Sequence, residues 1–125
     1  MPETQVVIFK ESDGSVPLLE WMDSIPQKAK EKCIVKVDRL KMFGNELRRP
    51  DCDMLSDGIR ELRACYNNIH YRILYAFCGK NIVLLSHGCT KIDKVPQKEI
   101  RKAFDNLKKY MKNRTAHTYT ERPCS

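Results

Sequence analysis

Between Ile59 and His87 the chain runs through three apolar, β-rich segments, "IRELRAC", "NIHYRILYAFC" and "NIVLLSH". Only Asn67–Asn68 and Gly79–Lys80 separate them. Breaks this short leave no room for a crossover, so the segments are predicted to pair consecutively and antiparallel. Strands are expected at 59–66, 69–78 and 81–87. Any fold open to the chain must therefore be built around this three-stranded meander. In its middle strand, the period of two sets Tyr71, Ile73, Tyr75 and Phe77 on one face. His70, Arg72 and Leu74 take the other.

The flanking segments supply helices and one more strand. "QVVIFK" is short and β-branched, which predicts a first strand at 5–10. After the turn "ESDGS", Leu18, Leu19, Met22 and Ile25 recur at helical spacing, with Pro17 tolerable in a first turn. Pro26 opens a second helix over 26–43, expected to pack through Ala29, Cys33, Val37 and Leu40 and to stop at Gly44 in a left-handed cap. "NELRRPDCDMLSDG" has no period and reads as a loop. From Pro96 a last helix carries Ile100, Ala103, Phe104, Leu107, Tyr110 and Met111 on one stripe. Lys98, Arg101, Lys102, Lys108, Lys109 and Lys112 cover much of its remainder. The order βααβββα predicts an α+β domain, a small mostly antiparallel sheet with helices packed around it.

A chain of 125 residues suits one core, and the domain is expected to span 1–114, with 115–125 a polar tail. No apolar run approaches the roughly 20 residues that cross a bilayer. "MPETQVVIFK" has neither a basic leader nor a long apolar stretch, so a cytoplasmic protein is expected. That setting predicts reduced cysteines, and Cys33, Cys52, Cys65, Cys78, Cys89 and Cys124 contain no C-x-x-C pair. They read as small apolar filler. The net charge of +7 is uneven, for residues 86–125 hold ten basic and four acidic side chains. A basic end of this kind fits a polyanion or an acidic protein.

Three passages carry a family likeness. "LSDGIRELR" (55–63) resembles an L-x-x-G-[aromatic or aliphatic]-x-E-L-R strand entry, and "YRILY" (71–75) a central Y-R-[apolar]-[apolar]-Y strand. "HGCTKIDKVPQKEIRKAF" (87–104) is similar to a closing H-G-[apolar]-T-K-x-x-K-x-P-x-x-E-I-x-x-A passage. In this order and spacing they resemble the RelE/ParE toxin superfamily, in its phage-derived Gp49-like and HigB-like branch. "HTY" (117–119) also follows the last helix in part of that branch. The resemblance implies the toxin of a type II toxin–antitoxin pair. It implies a metal-independent messenger-RNA endonuclease, often ribosome-associated, with a helix-turn-helix (HigA-like) antitoxin as partner and no cofactor. The ParE branch inhibits DNA gyrase without being a nuclease, so a non-enzymatic toxin is the alternative. A decayed phage toxin that keeps only antitoxin or RNA binding is another, as is a small RNA-binding module.

Cleavage through the 2′-hydroxyl needs a proton acceptor, cations for the phosphorane and a proton donor for the 5′ oxygen. Arg72 fits the cationic role, since its fork holds two phosphate oxygens from a rigid mid-strand position. His87 is the histidine of the strand-end passage, suited to proton transfer near neutrality. Lys91 and Lys94 resemble the family's basic strand-end positions, Lys91 with the catalytic group and Lys94 on the RNA backbone. Arg60 and Arg63 fall on opposite faces, so only one joins Arg72, and Arg63 lies in the better-matched "E-L-R" passage. Lys98 and Arg101 extend the RNA-binding surface, and His70, His117 and Tyr119 are further candidates. Arg72 could instead simply pair with Glu61 across the sheet. Asp51, Asp53 and Asp57 crowd one loop as a rival metal site, although aspartate there also makes turns.

Overall fold

The computed structural model describes residues 3–91 and 94–120. Its elements are β1 (Gln5–Ile8), α1 (Pro17–Ser24), α2 (Gln27–Phe43), a 3-10 turn (Gly44–Glu46), β2 (Cys52–Met54), β3 (Arg60–Tyr66), β4 (Ile69–Phe77), β5 (Ile82–Lys91) and α3 (Gln97–Lys112). The strands form one sheet in the order β1-β5-β4-β3-β2, with β1 parallel to β5 and every other pairing antiparallel. The α+β architecture and the consecutive meander are those expected. One element is additional, for the aperiodic loop before β3 contains the three-residue strand β2. Three residues show too little alternation to reveal a strand, and the pairing of Cys52–Met54 with Arg60–Leu62 is what defines it.

Local chemistry sets the joints. Asn67 and Asn68 both take positive φ, 51° and 63°, and so close the β3–β4 hairpin with a twist that matches the strands. Gly44 ends α2 at φ 53°, where a Cβ would also run into the Thr4 side chain. Its N–H bonds the Leu40 carbonyl.

Helices cover both faces of the sheet. On one, Leu18 and Met22 of α1 and Ala29, Cys33 and Leu40 of α2 bury against Leu62, Ala64, Tyr71, Ile73, Tyr75, Val83 and Leu85. Val37 packs on this cluster while only half-buried. On the other, Ile100 and Ala103 of α3 meet Ile59, Leu74, Ala76, Cys89 and Val95, and Tyr110 meets Val7, Phe9, Cys78 and Leu84. The α3 stripe departs from its expected composition in two places. Met111 is 50% exposed, whereas Asn106 is buried.

A bulge explains Asn106. Leu74 pairs with His87 and Tyr75 with Leu85, which leaves Ser86 as an extra residue in β5. Strict alternation would send Ser86 and His87 to opposite faces, yet both reach α3. Asn106 Nδ2 donates to Ser86 Oγ (2.9 Å), and His87 Nε2 lies 3.1 Å from Glu99 Oε1. Two residues further on, the Trp21 ring of α1 lies on Gly88, and a Cβ there would overlap it. The indole N–H donates to Thr90 Oγ1 at 3.0 Å. The glycine and threonine of the "H-G-C-T-K" passage thus seat α1 on β5.

Residues 114–120 return along β1. Phe9 bridges Thr118, and the Lys10 and Tyr119 amides bond the carbonyls of His117 and Ile8.

Candidate nucleic-acid interface

β3 and β4 place Arg63 directly opposite Arg72, which puts the two side chains on one face of the sheet. Glu61, two residues before Arg63 on that face, stands between them. Its Oε2 lies 3.6 Å from Arg72 Nε and its Oε1 3.3 Å from Arg63 Nε. The alternation continues outward, for Arg63 NH1 is 3.9 Å from Asp53, which also takes a two-pronged contact from Arg49 at 3.0 and 3.1 Å. A ladder Arg72–Glu61–Arg63–Asp53–Arg49 therefore crosses the sheet from β4 to β2, with three cations against two carboxylates.

The two ends of the ladder differ in exposure. The Arg72 side chain is 6% exposed and that of Arg63 35%. Arg72 is thus held beneath the surface by Glu61, and Arg63 faces solvent. Burial raises the Glu61 carboxyl above its ordinary range, against the pull of Arg72 and Arg63. At Asp53 burial also pushes upward, but the Arg49 fork, the Met54 amide and Arg63 together outweigh it and the carboxyl ends low. Asp51 is held low chiefly by the Lys36 ammonium at 2.6 Å, with Arg39 adding a second bond at 3.0 Å. Of the three carboxylates of the rival metal reading, Asp51 and Asp53 are occupied by cations and Asp57 sits in a turn at φ 57°. The described residues contain no group of three that could hold a metal ion. Arg60 falls on the other face, its guanidinium 4.9 Å from the centre of the Phe77 ring.

His70 is the titratable neighbour of this ladder. It is half-buried and stands opposite Cys65 on one side and Lys91 on the other. The Lys91 side chain lies outside the described part of the structure, as do Ile92 and Asp93. Lys94 is exposed just before α3, and Lys98 and Arg101 are exposed on its first turns. Ile100 and Ala103 pack with Leu74 and Cys89, so this end of α3 sits over the strand positions next to Arg72.

His87 shares that sheet face but lies under α3, with 2% of its surface exposed. The Ser86 hydroxyl is 2.8 Å from Nδ1. With Nε2–H donating to Glu99, Nδ1 accepts from Ser86, whose oxygen accepts from Asn106, so a neutral imidazole has both ring nitrogens satisfied. Burial lowers the pKa of His87, Lys102 lowers it further, and Glu99 opposes both without prevailing. His117 belongs to the β1 edge, with β5 between it and β4. Its ring stacks on Phe9 at 5.2 Å, and its Nδ1–H donates to the Lys10 carbonyl at 2.8 Å. Tyr119 bonds β1 there through its amide.

The structure thus brings together Arg72, Arg63 and His70, leaves Lys94, Lys98 and Arg101 exposed just before and on the first turns of α3, with Arg101 beside Asp57, and stations His87, His117 and Tyr119 elsewhere. Two cations near Arg63 gave no separate signal in the sequence, Lys32 and Lys36 of α2. Their spacing of four on the polar face, next to the loop holding Asp51, was the only clue.

A mostly antiparallel sheet covered by helices on both sides, with cations gathered at one strand end, defines an α+β domain with a candidate polyanion-binding surface. The chain belongs to the family described as phage derived protein Gp49-like (DUF891), a RelE/HigB-like toxin family whose model matches residues 20–108. The match includes every candidate residue except His117 and Tyr119. Membership makes the protein a relative of toxin–antitoxin toxins, with an antitoxin as the general kind of partner. No curated protein matches the chain.

Proposed function

We propose that this protein is the toxin of a type II toxin–antitoxin pair and a metal-independent endoribonuclease acting on messenger RNA in the cytoplasm. The observation that carries the reading is the Arg63–Arg72 pair, two guanidinium groups in direct register on the open strand end. Arg63, the exposed member, meets a phosphate first, and Arg72 adds positive potential from beneath, where weak screening strengthens it. Glu61 holds both forks. His70 is placed to take the 2′ proton or to supply one to the 5′ oxygen, with Lys91 and Lys94 next along the backbone. His87, neutral and enclosed, supports this surface by fixing α3 to β5.

The burial of His87 and the near-burial of Arg72 favour a second reading, a toxin that binds a target such as gyrase without cleaving RNA. One experiment separates the two. The protein is expressed inducibly, RNA 5′ ends are mapped, and DNA supercoiling is assayed in parallel. New 5′ ends within messages, formed also by purified protein in excess EDTA, are the expected result. Unchanged RNA with impaired supercoiling overturns the nuclease reading.

A further inference from the structure

We infer that a cavity between α2 and the end of the β3–β4 hairpin seats one nucleotide of the RNA strand, on the far side of Arg63 from Arg72. The inference rests on the RNA reading above and adds a subsite to it. The cavity measures about 560 Å³ and is lined by Lys32, Val35 and Lys36 of α2, by Pro50 just before β2, by Arg63, Ala64 and Cys65 of β3, and by His70 of β4. Its volume lies within the ~300–1,000 Å³ of small-ligand sites.

The lining has two kinds of surface. Val35, Pro50 and Ala64 make an apolar floor for a base, a contact that tolerates any sequence because every base has a flat face. Lys32, Lys36 and Arg63 surround it with cations, and among the described lining residues there is no carboxylate. Lys36 gives one bond to Asp51 and Arg63 shares its fork with Glu61 and Asp53, so both retain N–H groups for a phosphate. Lys32 is exposed and makes no ion pair among the described residues. Because Arg63 lines the cavity and also stands opposite the buried Arg72, a strand whose phosphate rests on Arg63 reaches the cavity with its next nucleotide. A nucleotide brings its phosphate charge together with a flat base, whereas an acidic side chain has no flat face to lay on the floor. Three cations around an apolar floor therefore suit a nucleotide better than an acidic peptide.

Cys65 makes the cavity observable, being exposed while Cys33, Cys52, Cys78 and Cys89 are buried. The probe is a single-stranded 2′-O-methyl oligonucleotide, which cannot be cleaved through the 2′ position. Alkylation of Cys65 by iodoacetamide is followed by peptide mass mapping on the full chain, with and without the oligonucleotide. Bound oligonucleotide is expected to slow alkylation at least about tenfold, since the thiol must be reached to react. Lys32→Ala is expected to remove that protection and to lower the salt dependence of binding by about one unit of slope. An oligonucleotide that binds while Cys65 reacts at its free rate and Lys32→Ala keeps the full slope overturns the subsite and leaves the RNA reading intact. Absence of both binding and RNA cleavage overturns the two together. Equal protection by polyglutamate of matched charge overturns the nucleotide assignment in favour of an acidic protein.

Discussion

Arg72 and Glu61 form the contact at which stability and the proposed chemistry meet. Each is buried and each leaves an oxygen or nitrogen without a hydrogen bond, the guanidinium and carboxylate standing 3.6 Å apart. Deleting one member of such a pair strands a buried charge, at a cost of about 3–5 kcal/mol. Arg72→Ala is therefore expected to lower the unfolding midpoint as well as to slow cleavage by about 10²–10³, the loss typical of a single charge-stabilising donor. Arg72→Lys keeps the charge without the fork and should recover part of the activity. Cleavage of ribosome-bound messenger, measured on variants whose fold is verified by circular dichroism, decides the matter. A folded Arg72→Ala protein that cleaves at the wild-type rate removes this arginine from the mechanism. His87 makes a different prediction. Its folded pKa lies below the ordinary value of about 6.5, so on acidification the unfolded chain takes up the proton first. The stability due to neutral His87 is complete above about pH 6.5 and is lost as the pH falls through the folded value. Urea midpoints should rise between about pH 5 and 7, and His87→Gln should flatten that rise.

At the scale of the element, β5 has the most to explain. Its bulge at Ser86 lets two consecutive residues grip α3, and Gly88 and Thr90 then hold Trp21 of α1 on the opposite face. One strand thus fixes a helix on each side. Gly88→Ala forces the Trp21 ring aside and should cost about 1–3 kcal/mol, the usual penalty for overfilling a packed site. Thermal unfolding would show the lower midpoint, and a shift in tryptophan fluorescence would report the displaced ring, Trp21 being the only tryptophan. An unchanged midpoint would mean that α1 is not seated by this contact. Among the cysteines, Cys33 is the inert kind, its thiol pushed up to about 11 by burial in the α2 core.

For the whole molecule the governing quantity is the charge of +7 and its placement. Lys98, Arg101 and Lys102 are exposed on α3, and Lys32 and Lys36 of α2 line the cavity beside Arg63. A polyanion bound across them displaces counterions, so RNA affinity should fall steeply as salt rises. An antitoxin that covers the same surface should associate faster at low salt, and the slope of its rate against ionic strength tests this in a stopped-flow mixing experiment. A rate indifferent to salt would place the antitoxin on another face.

The meander and the helices were legible along the chain because each depends on local period. Alternation in β3 separated Arg60 from Arg63, but the likeness of the E-L-R passage chose Arg63 as the partner of Arg72, and the register of β3 on β4 bears that choice out. The fate of His87 was not legible. It depends on an extra residue in β5, which leaves no trace in composition, and on Glu99 arriving from a helix twelve positions further on. The Lys32–Lys36 cavity was equally hidden, since a polar helix face looks the same whether it borders solvent or a strand end. Sequence by itself determined which side chains share an element face, through backbone geometry that repeats every two or 3.6 residues. Only the tertiary structure decided which of those faces stay open to a ligand, because burial is set by packing between elements that have no fixed spacing along the chain.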